Sequence, residues 1–136
     1  MYELFEHTAD LGLRMRAESL DELFADAGRA LFSVIVANFE SVEPVQELSF
    51  KIQGSRRDDL LLDWLAELLH TFDTRRVLFC DFRVRVEEEG LQATARGEPF
   101  DPARHDLDME VKAITYHGLK VERDGQGGLA EVIVDL

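Results

Sequence analysis

The sequence predicts an α+β fold, and three observations carry that expectation. Apolar residues recur with period 2 through most of the chain and with helical period in only two stretches, near 20–36 and 57–72. The implied order is β-α-β-α-β-β-β-β-β, so helices do not alternate strictly with strands as a doubly wound fold requires. Five strands in succession after the second helix leave two helices to pack on mostly antiparallel or mixed sheets.

In the first strand Leu11, Leu13, Met15 and Ala17 alternate with Gly12, Arg14 and Arg16, the pattern of a half-buried surface. Ser19-Leu20-Asp21-Glu22 follows as a capping box, the serine and the glutamate each satisfying a free helix-end donor. Leu23, Phe24, Ala27, Leu31 and Val34 then lie at helical spacing. Leu48, Phe50 and Ile52 form a second strand, broken by Gly54-Ser55. Ser55 reads as the next N-cap, with Asp58 and Asp59 at the positive end of the helix. Leu61, Trp64, Leu65, Leu68 and Phe72 supply its apolar stripe. Leu60, Leu62 and Leu69 widen that stripe, so this helix is expected to be the more deeply buried of the two.

Val77 to Phe82 reads as a buried strand that continues through Val84 and Val86. Glu89-Gly90 turns it into a hairpin with Leu91, Ala93 and Ala95. Pro99 to Asp108 reads as a loop. Val111–Tyr116 and Leu119–Glu122 read as strands about a His117-Gly118 junction. Asp124-Gly125-Gln126-Gly127-Gly128 is a turn, because glycine accepts positive φ freely. The last strand, Leu129 to Leu136, closes the chain.

The length of 136 residues suits one domain with a real core, and 46% hydrophobic residues exclude a disordered chain. No apolar run reaches membrane-spanning length, and the N-terminal Met1-Tyr2-Glu3-Leu4-Phe5-Glu6 lacks the features of a signal peptide. The single cysteine, Cys80, has no partner for an internal disulfide and sits in an apolar stretch, the setting of an inert core thiol. A cytoplasmic location is the expectation. The net charge of −13 repels polyanions at long range, so direct nucleic-acid binding is not expected as the main activity, although a local basic patch is compatible with it; a cation or a cationic protein is the natural complement.

Candidate chemistry gathers at the two ends of the chain. Asp135 is an acid on a closing strand, where acids are depleted, and Asp10 lies in His7-Thr8-Ala9-Asp10 just before the first strand. If the first and last strands are neighbours, these carboxylates and the terminal carboxylate can together hold a hard cation. A turn aspartate at Asp10 and a solvated strand end at Asp135 are the plain alternatives. His7 lacks any zinc-type spacing partner. Asp101, Asp106, Asp108 and Glu110 lack the calcium-loop pattern and read as a solvated acidic loop. Strand alternation groups Lys112 with Ile114 and Tyr116, so it either snorkels to solvent or faces a site. The sequence carries no nucleophile elbow, phosphate-binding loop or dinucleotide fingerprint.

Three blocks carry a resemblance. Phe5-Glu6-His7-Thr8-Ala9-Asp10-Leu11-Gly12, Glu110 to Leu119 (with Lys-Ala-Ile-Thr-Tyr-His inside it) and Val132-Ile133-Val134-Asp135-Leu136 resemble the archease family, in order and across the whole of 1–136. The resemblance implies a single archease-like α+β domain and a non-enzymatic role. Members of that family are protein cofactors of the RtcB-type RNA ligase, which joins a 3′-phosphate to a 5′-hydroxyl in tRNA splicing and RNA repair. They promote its guanylylation and multiple turnover and widen its nucleotide use. The resemblance further implies a divalent cation, calcium before manganese or magnesium, held by Asp10, Asp135 and a carbonyl or terminal oxygen of Leu136. It implies that Lys112 is needed for activation and that His7 neighbours the site. Two rival readings stay open: a stand-alone metal-dependent phosphoester hydrolase, and a general chaperone or interaction module.

Overall fold

The computed structural model describes residues 1–7, 10–125 and 127–136. Its strands are β1 (Tyr2–His7), β2 (Asp10–Ala17), β3 (Gln46–Gln53), β4 (Val77–Glu87), β5 (Gly90–Pro99), β6 (Ala113–Asp124) and β7 (Gly127–Asp135), and its helices are α1 (Leu20–Ile35) and α2 (Arg57–Arg75). The strands form two antiparallel sheets, ordered β1-β2-β7-β6 and β3-β5-β4. Fold class and element types follow the sequence expectation. The turn expected over 124–128 falls partly on Gln126, outside the described residues.

Helix α1 starts at Ser19, whose hydroxyl accepts the Glu22 N–H at 3.1 Å. It packs on β4 of one sheet and on β2 of the other, so it lies between the two sheets. That position reverses one expectation. The first helix, not the second, is the more deeply buried: 11 of its 16 residues are buried, against 9 of 19 in α2. The cause is small side chains on and beside the leucine stripe. Ala25, Ala27, Gly28 and Ala30 are all buried, so backbone can approach from both sides. At Gly28 a Cβ would stand 2.8 Å from the Phe82 ring.

A second correction concerns the cap of α2. Arg56, not Ser55, holds the N-cap position, and no side chain bonds there. The helix runs to Arg75 and ends on Arg76 in the left-handed region at φ 53°, whose N–H donates to Phe72 O at 2.8 Å. The Arg76 guanidinium covers the Phe72 ring at 4.5 Å, a contact that offsets part of the backbone strain.

The core joins the helices to the inner faces of both sheets. Phe32, Phe79, Phe82, Trp64 and Phe50 form a chain of edge-to-face and tilted contacts with centroids 5.5–6.3 Å apart. Trp64 is fully buried, and its indole N–H donates to Phe24 O at 2.9 Å, so its polar atom is satisfied. Cys80 sits at a register shift in β4 between Phe79 and Asp81 and is half-buried rather than in the core. Desolvation, then the charges of Asp81 and Glu98, push its thiol pKa up, which leaves it a poor nucleophile. It lies on the other sheet from His117.

Two strand expectations are extended. Residues 2–7, given no structure from sequence, form edge strand β1. The two strands expected about His117-Gly118 are one strand, β6, with a register shift between Thr115 and Lys120. Gly118 has φ +67°, a left-handed conformation that favours glycine, and it lets the intervening segment leave the ladder and return.

Candidate functional site

The outer face of the four-stranded sheet is built as a series of rungs. Leu13, Met15, Ala130, Val132 and Val134 point inward and are buried. The alternating residues therefore point outward. Arg14 opposes Glu131, and Gly12 opposes Ile133. Leu11 opposes Val134 in the next inward rung, so continuing the register by one residue sets Asp10 beside Asp135 on the outer face. Residues directly opposed across antiparallel strands have Cβ atoms about 5 Å apart. On the far side of Asp10, β1 brings His7 into register with it, and on the far side of Asp135, β6 brings Ala113. The Lys112 N–H donates to Asp135 O at 2.8 Å, which ties the start of β6 to the last residue of β7.

Both aspartates, each one residue past the last β2–β7 pair, are half-buried. Among the described residues neither has an ion-pair or hydrogen-bond partner for its side chain. The contrast two rungs away is sharp. There Glu131 takes Lys120 at 2.9 Å and Arg14 at 2.8 Å, and Arg14 also reaches Glu3 at 3.2 Å. The Lys120 hydrogen bond, and then that of Arg14, hold the Glu131 carboxyl below the usual range although burial opposes them. Like charges placed opposite each other in a sheet destabilise it unless something neutralises them.

His7 is the third feature. Its Nδ1 is buried without a hydrogen-bond partner among the described residues, and its ring meets that of His117 edge-on with centroids 5.1 Å apart. β1 and β6 are the two edges of the sheet, so the 116–119 excursion reaches across the outer face to make this contact. A Cβ on Gly118 would lie 3.7 Å from the Ile133 side chain, which places the crossing over β7. Sequence reasoning missed His117 as a neighbour of His7. The glycine inside a strand pattern was the available signal of a bulge.

The remaining expected residues fall out as follows. Lys112 is exposed at the sheet end, with no ion pair among the described residues. Leu136 is half-buried and packs against the core. Asp106, Asp108 and Glu110 are exposed on the segment that joins β5 to β6, away from any shared cluster. Thr8 and Ala9 lie outside the described residues. Among the described residues no three His, Cys, Asp or Glu side chains are grouped to hold a metal ion. What is present is an oxygen-donor pair, the donor type a hard cation takes.

The comparisons with known proteins agree with this architecture. The model of the Archease protein family (MTH1598/TM1083) matches residues 2–136. A protein archease of Methanopyrus kandleri is 42% identical over 139 residues, covering 99% of this chain and 99% of the relative. One of Pyrococcus furiosus is 40% identical over 141 residues, covering 99% and 98%. The solution structure of Methanobacterium thermoautotrophicum protein 1598 superposes with a TM-score of 0.88 at 36% identity, covering 99% of this chain and 98% of that one. A crystal structure from Thermotoga maritima, described as an archease and possible chaperone, has a TM-score of 0.69 at 24% identity and covers 100% and 98%; it speaks for the fold alone. The chain belongs to the archease family.

Proposed function

We propose that this chain is a non-catalytic activator of a 3′-phosphate/5′-hydroxyl RNA ligase of the RtcB type. It promotes guanylylation and multiple turnover of the ligase, widens its nucleotide use, and serves tRNA splicing or RNA repair in the cytoplasm. A divalent cation, calcium first and manganese or magnesium next, is held by Asp10, Asp135 and an oxygen of Leu136, with Lys112 and His7 turned toward the partner. The observation that supports this reading is that Asp10 and Asp135, which follow the Leu11–Val134 pair on adjacent strands, have no side-chain partner among the described residues, whereas Glu131 on the same face is doubly paired. A bound cation removes their mutual repulsion and supplies a fixed positive charge at the sheet end. The exposed Lys112 ammonium beside it adds a second cation for a phosphate or carboxylate of the ligase.

The test has two readouts. Ligase, GTP and this protein are mixed without RNA, and covalent guanylylation is followed over time. Asp10→Asn, Asp135→Asn and Lys112→Ala are each expected to lose the stimulation by at least about tenfold, equivalent to roughly 1.4 kcal/mol. Separately, calcium or manganese at about 100-fold over its Kd is expected to stabilise the wild type by roughly 2.7 kcal/mol and to leave Asp10→Asn unmoved. Full stimulation by both aspartate variants removes the cation from the proposal.

A general chaperone role is the second reading, favoured by the description of the Thermotoga maritima protein. It requires client binding that persists when the cation and both aspartates are removed.

A further inference from the structure

The opposite side of the molecule carries a surface of the other sign. In the three-stranded sheet the register aligns Lys51, Gln92 and Arg85 on one rung and Ser49, Thr94 and Arg83 on the rung two residues along. Leu91, Ala93, Ala95 and Phe82 are buried on the inner face, so these six side chains share the outer one. They border a shallow depression of about 490 Å³.

What marks this face is the grouping of its cations. Among the described residues six of the fifteen lysines and arginines, Arg14, Arg29, Arg56, Arg96, Arg104 and Lys120, have a carboxylate partner. Lys51, Arg83 and Arg85 do not: among the described residues none has a salt bridge, and all three are exposed. Nothing acidic stands between them, only an amide and two hydroxyls. Acids bound the patch along the strand direction, with Glu87 and Glu89 at one end and Asp81 and the Arg96-paired Glu47 at the other. The open direction runs across the strands, from Lys51 through Gln92 to Arg85. That rung spans two strand spacings, about 10 Å, and Arg83 lies roughly 7 Å from Arg85 along β4.

We infer that this sheet face binds the phosphate backbone of single-stranded RNA, through Lys51, Arg83 and Arg85 as phosphate cations and Ser49, Gln92 and Thr94 as neutral hydrogen-bond donors. The choice of RNA rests on the function proposed above; the phosphate chemistry does not. Cations set several ångströms apart, with uncharged donors between them, suit a repeating anion rather than one compact one. No exposed aromatic side chain lies on these rungs, so bases are not stacked and the binding is indifferent to sequence. A single strand is favoured over a duplex because its lower charge density is repelled less by the acids at both ends of the patch. The two ligands then use opposite outer faces, cation and ligase on the β1-β2-β7-β6 sheet and RNA on the β3-β5-β4 sheet.

The test uses the full chain without ligase. Fluorescence anisotropy follows binding of an end-labelled single-stranded RNA of about 12 nucleotides. Three phosphate contacts predict a slope near −2 for log affinity against log salt, so affinity falls roughly 20-fold between about 50 and 200 mM salt. Combined Lys51→Gln, Arg83→Gln and Arg85→Gln is expected to weaken binding at least tenfold and flatten the slope. A charge-matched control, Arg57→Gln with Arg75→Gln and Arg123→Gln, changes those exposed arginines elsewhere and is expected to shift affinity less than threefold. Absence of RNA binding by the wild type at low salt overturns the inference, and so does equal loss in patch and control variants. Retained RNA binding with lost ligase binding in the patch variant also overturns it, by assigning the face to an acidic protein surface. Because guanylylation is read without RNA, failure here leaves the activator proposal standing, and the reverse also holds.

Discussion

Glu98 shows what single residues do in this molecule. It is almost fully buried on β5, where desolvation alone would raise its carboxyl pKa. Hydrogen bonds from the Glu43 N–H and Arg104, with His105 close by, outweigh that and hold it below the ordinary carboxylate range. His105 is buried as well, with Nδ1 accepting the Asp101 N–H at 2.9 Å and Nε2 lying 3.4 Å from Glu98. A carboxyl whose pKa is lower folded than unfolded stabilises the fold above its unfolded value, near 4.3, and that contribution is lost as pH falls through the folded value. Glu131 has the same sign. The melting temperature is therefore expected to hold from neutral pH to about 4.5 and to drop steeply below it. Glu98→Gln should lower it at pH 7 and flatten the acid limb; an unchanged acid limb would remove Glu98 from that account. None of this was legible in sequence. The stretch from Pro99 to Asp108 reads as a solvated acidic loop, and only the fold shows that Asp101, Arg104 and His105 fasten it to β5 and to the Ser41 carbonyl. Asp10 and Asp135 were legible as candidates because acids in and beside strands are unusual.

Among the elements, α1 tests the packing account most directly. Gly28→Ala would improve helix propensity by about 1 kcal/mol at an ordinary helix position. Here the new methyl would meet ring carbons of Phe82 at 2.8 Å. That ring cannot swing away, because Phe32, Trp64 and Phe79 surround it. Overpacking of this kind costs about 1–3 kcal/mol, so the net effect is expected to be a destabilisation of roughly 1 kcal/mol. Urea titration checks the sign, and a more stable variant would show that α1 is less tightly held than described. Phe32→Ala, fully buried against three aromatic rings, should cost about 3–5 kcal/mol by the same measurement. The periodicities that located both helices say which residues are apolar, not how many layers cover them. For that reason the leucine-rich α2 read as the deeper helix, while the alanine-rich α1 is the one enclosed by two sheets. Strand β1 escaped for a related reason: its inward Leu4 remains half exposed at the sheet edge, so alternation there is weak.

For the whole molecule the governing quantity is the charge of −13 and where it lies. Such a chain is steered toward a basic partner at long range. Association with the ligase proposed above as partner is expected to slow by about tenfold or more between low and physiological salt, mainly in the on-rate. Stopped-flow mixing at several ionic strengths would show this, and a salt-independent on-rate would exclude steering. Both sheets turn their outer faces away from the helices, and the 116–119 excursion crosses that of the four-stranded sheet. One face presents paired carboxylates and the other unpaired cations, so net charge alone describes neither.

The chain's own pattern of apolar spacing, caps and glycines determined the α+β class, both helices and most strands, because those depend on local periodicity and backbone preference. It also marked Asp135 as unusual and offered Asp10 and Lys112 as candidates, while His7 took a place at the site only through the family resemblance. Tertiary structure decided which strands became neighbours, and hence that Asp10 and Asp135 each follow the Leu11–Val134 pair at one end of the sheet, that His117 crosses the sheet to His7, and that Lys51, Arg83 and Arg85 share one face. Strand order is set by how both sheets close over one helix layer, and that is a property of the packed whole which no local window contains.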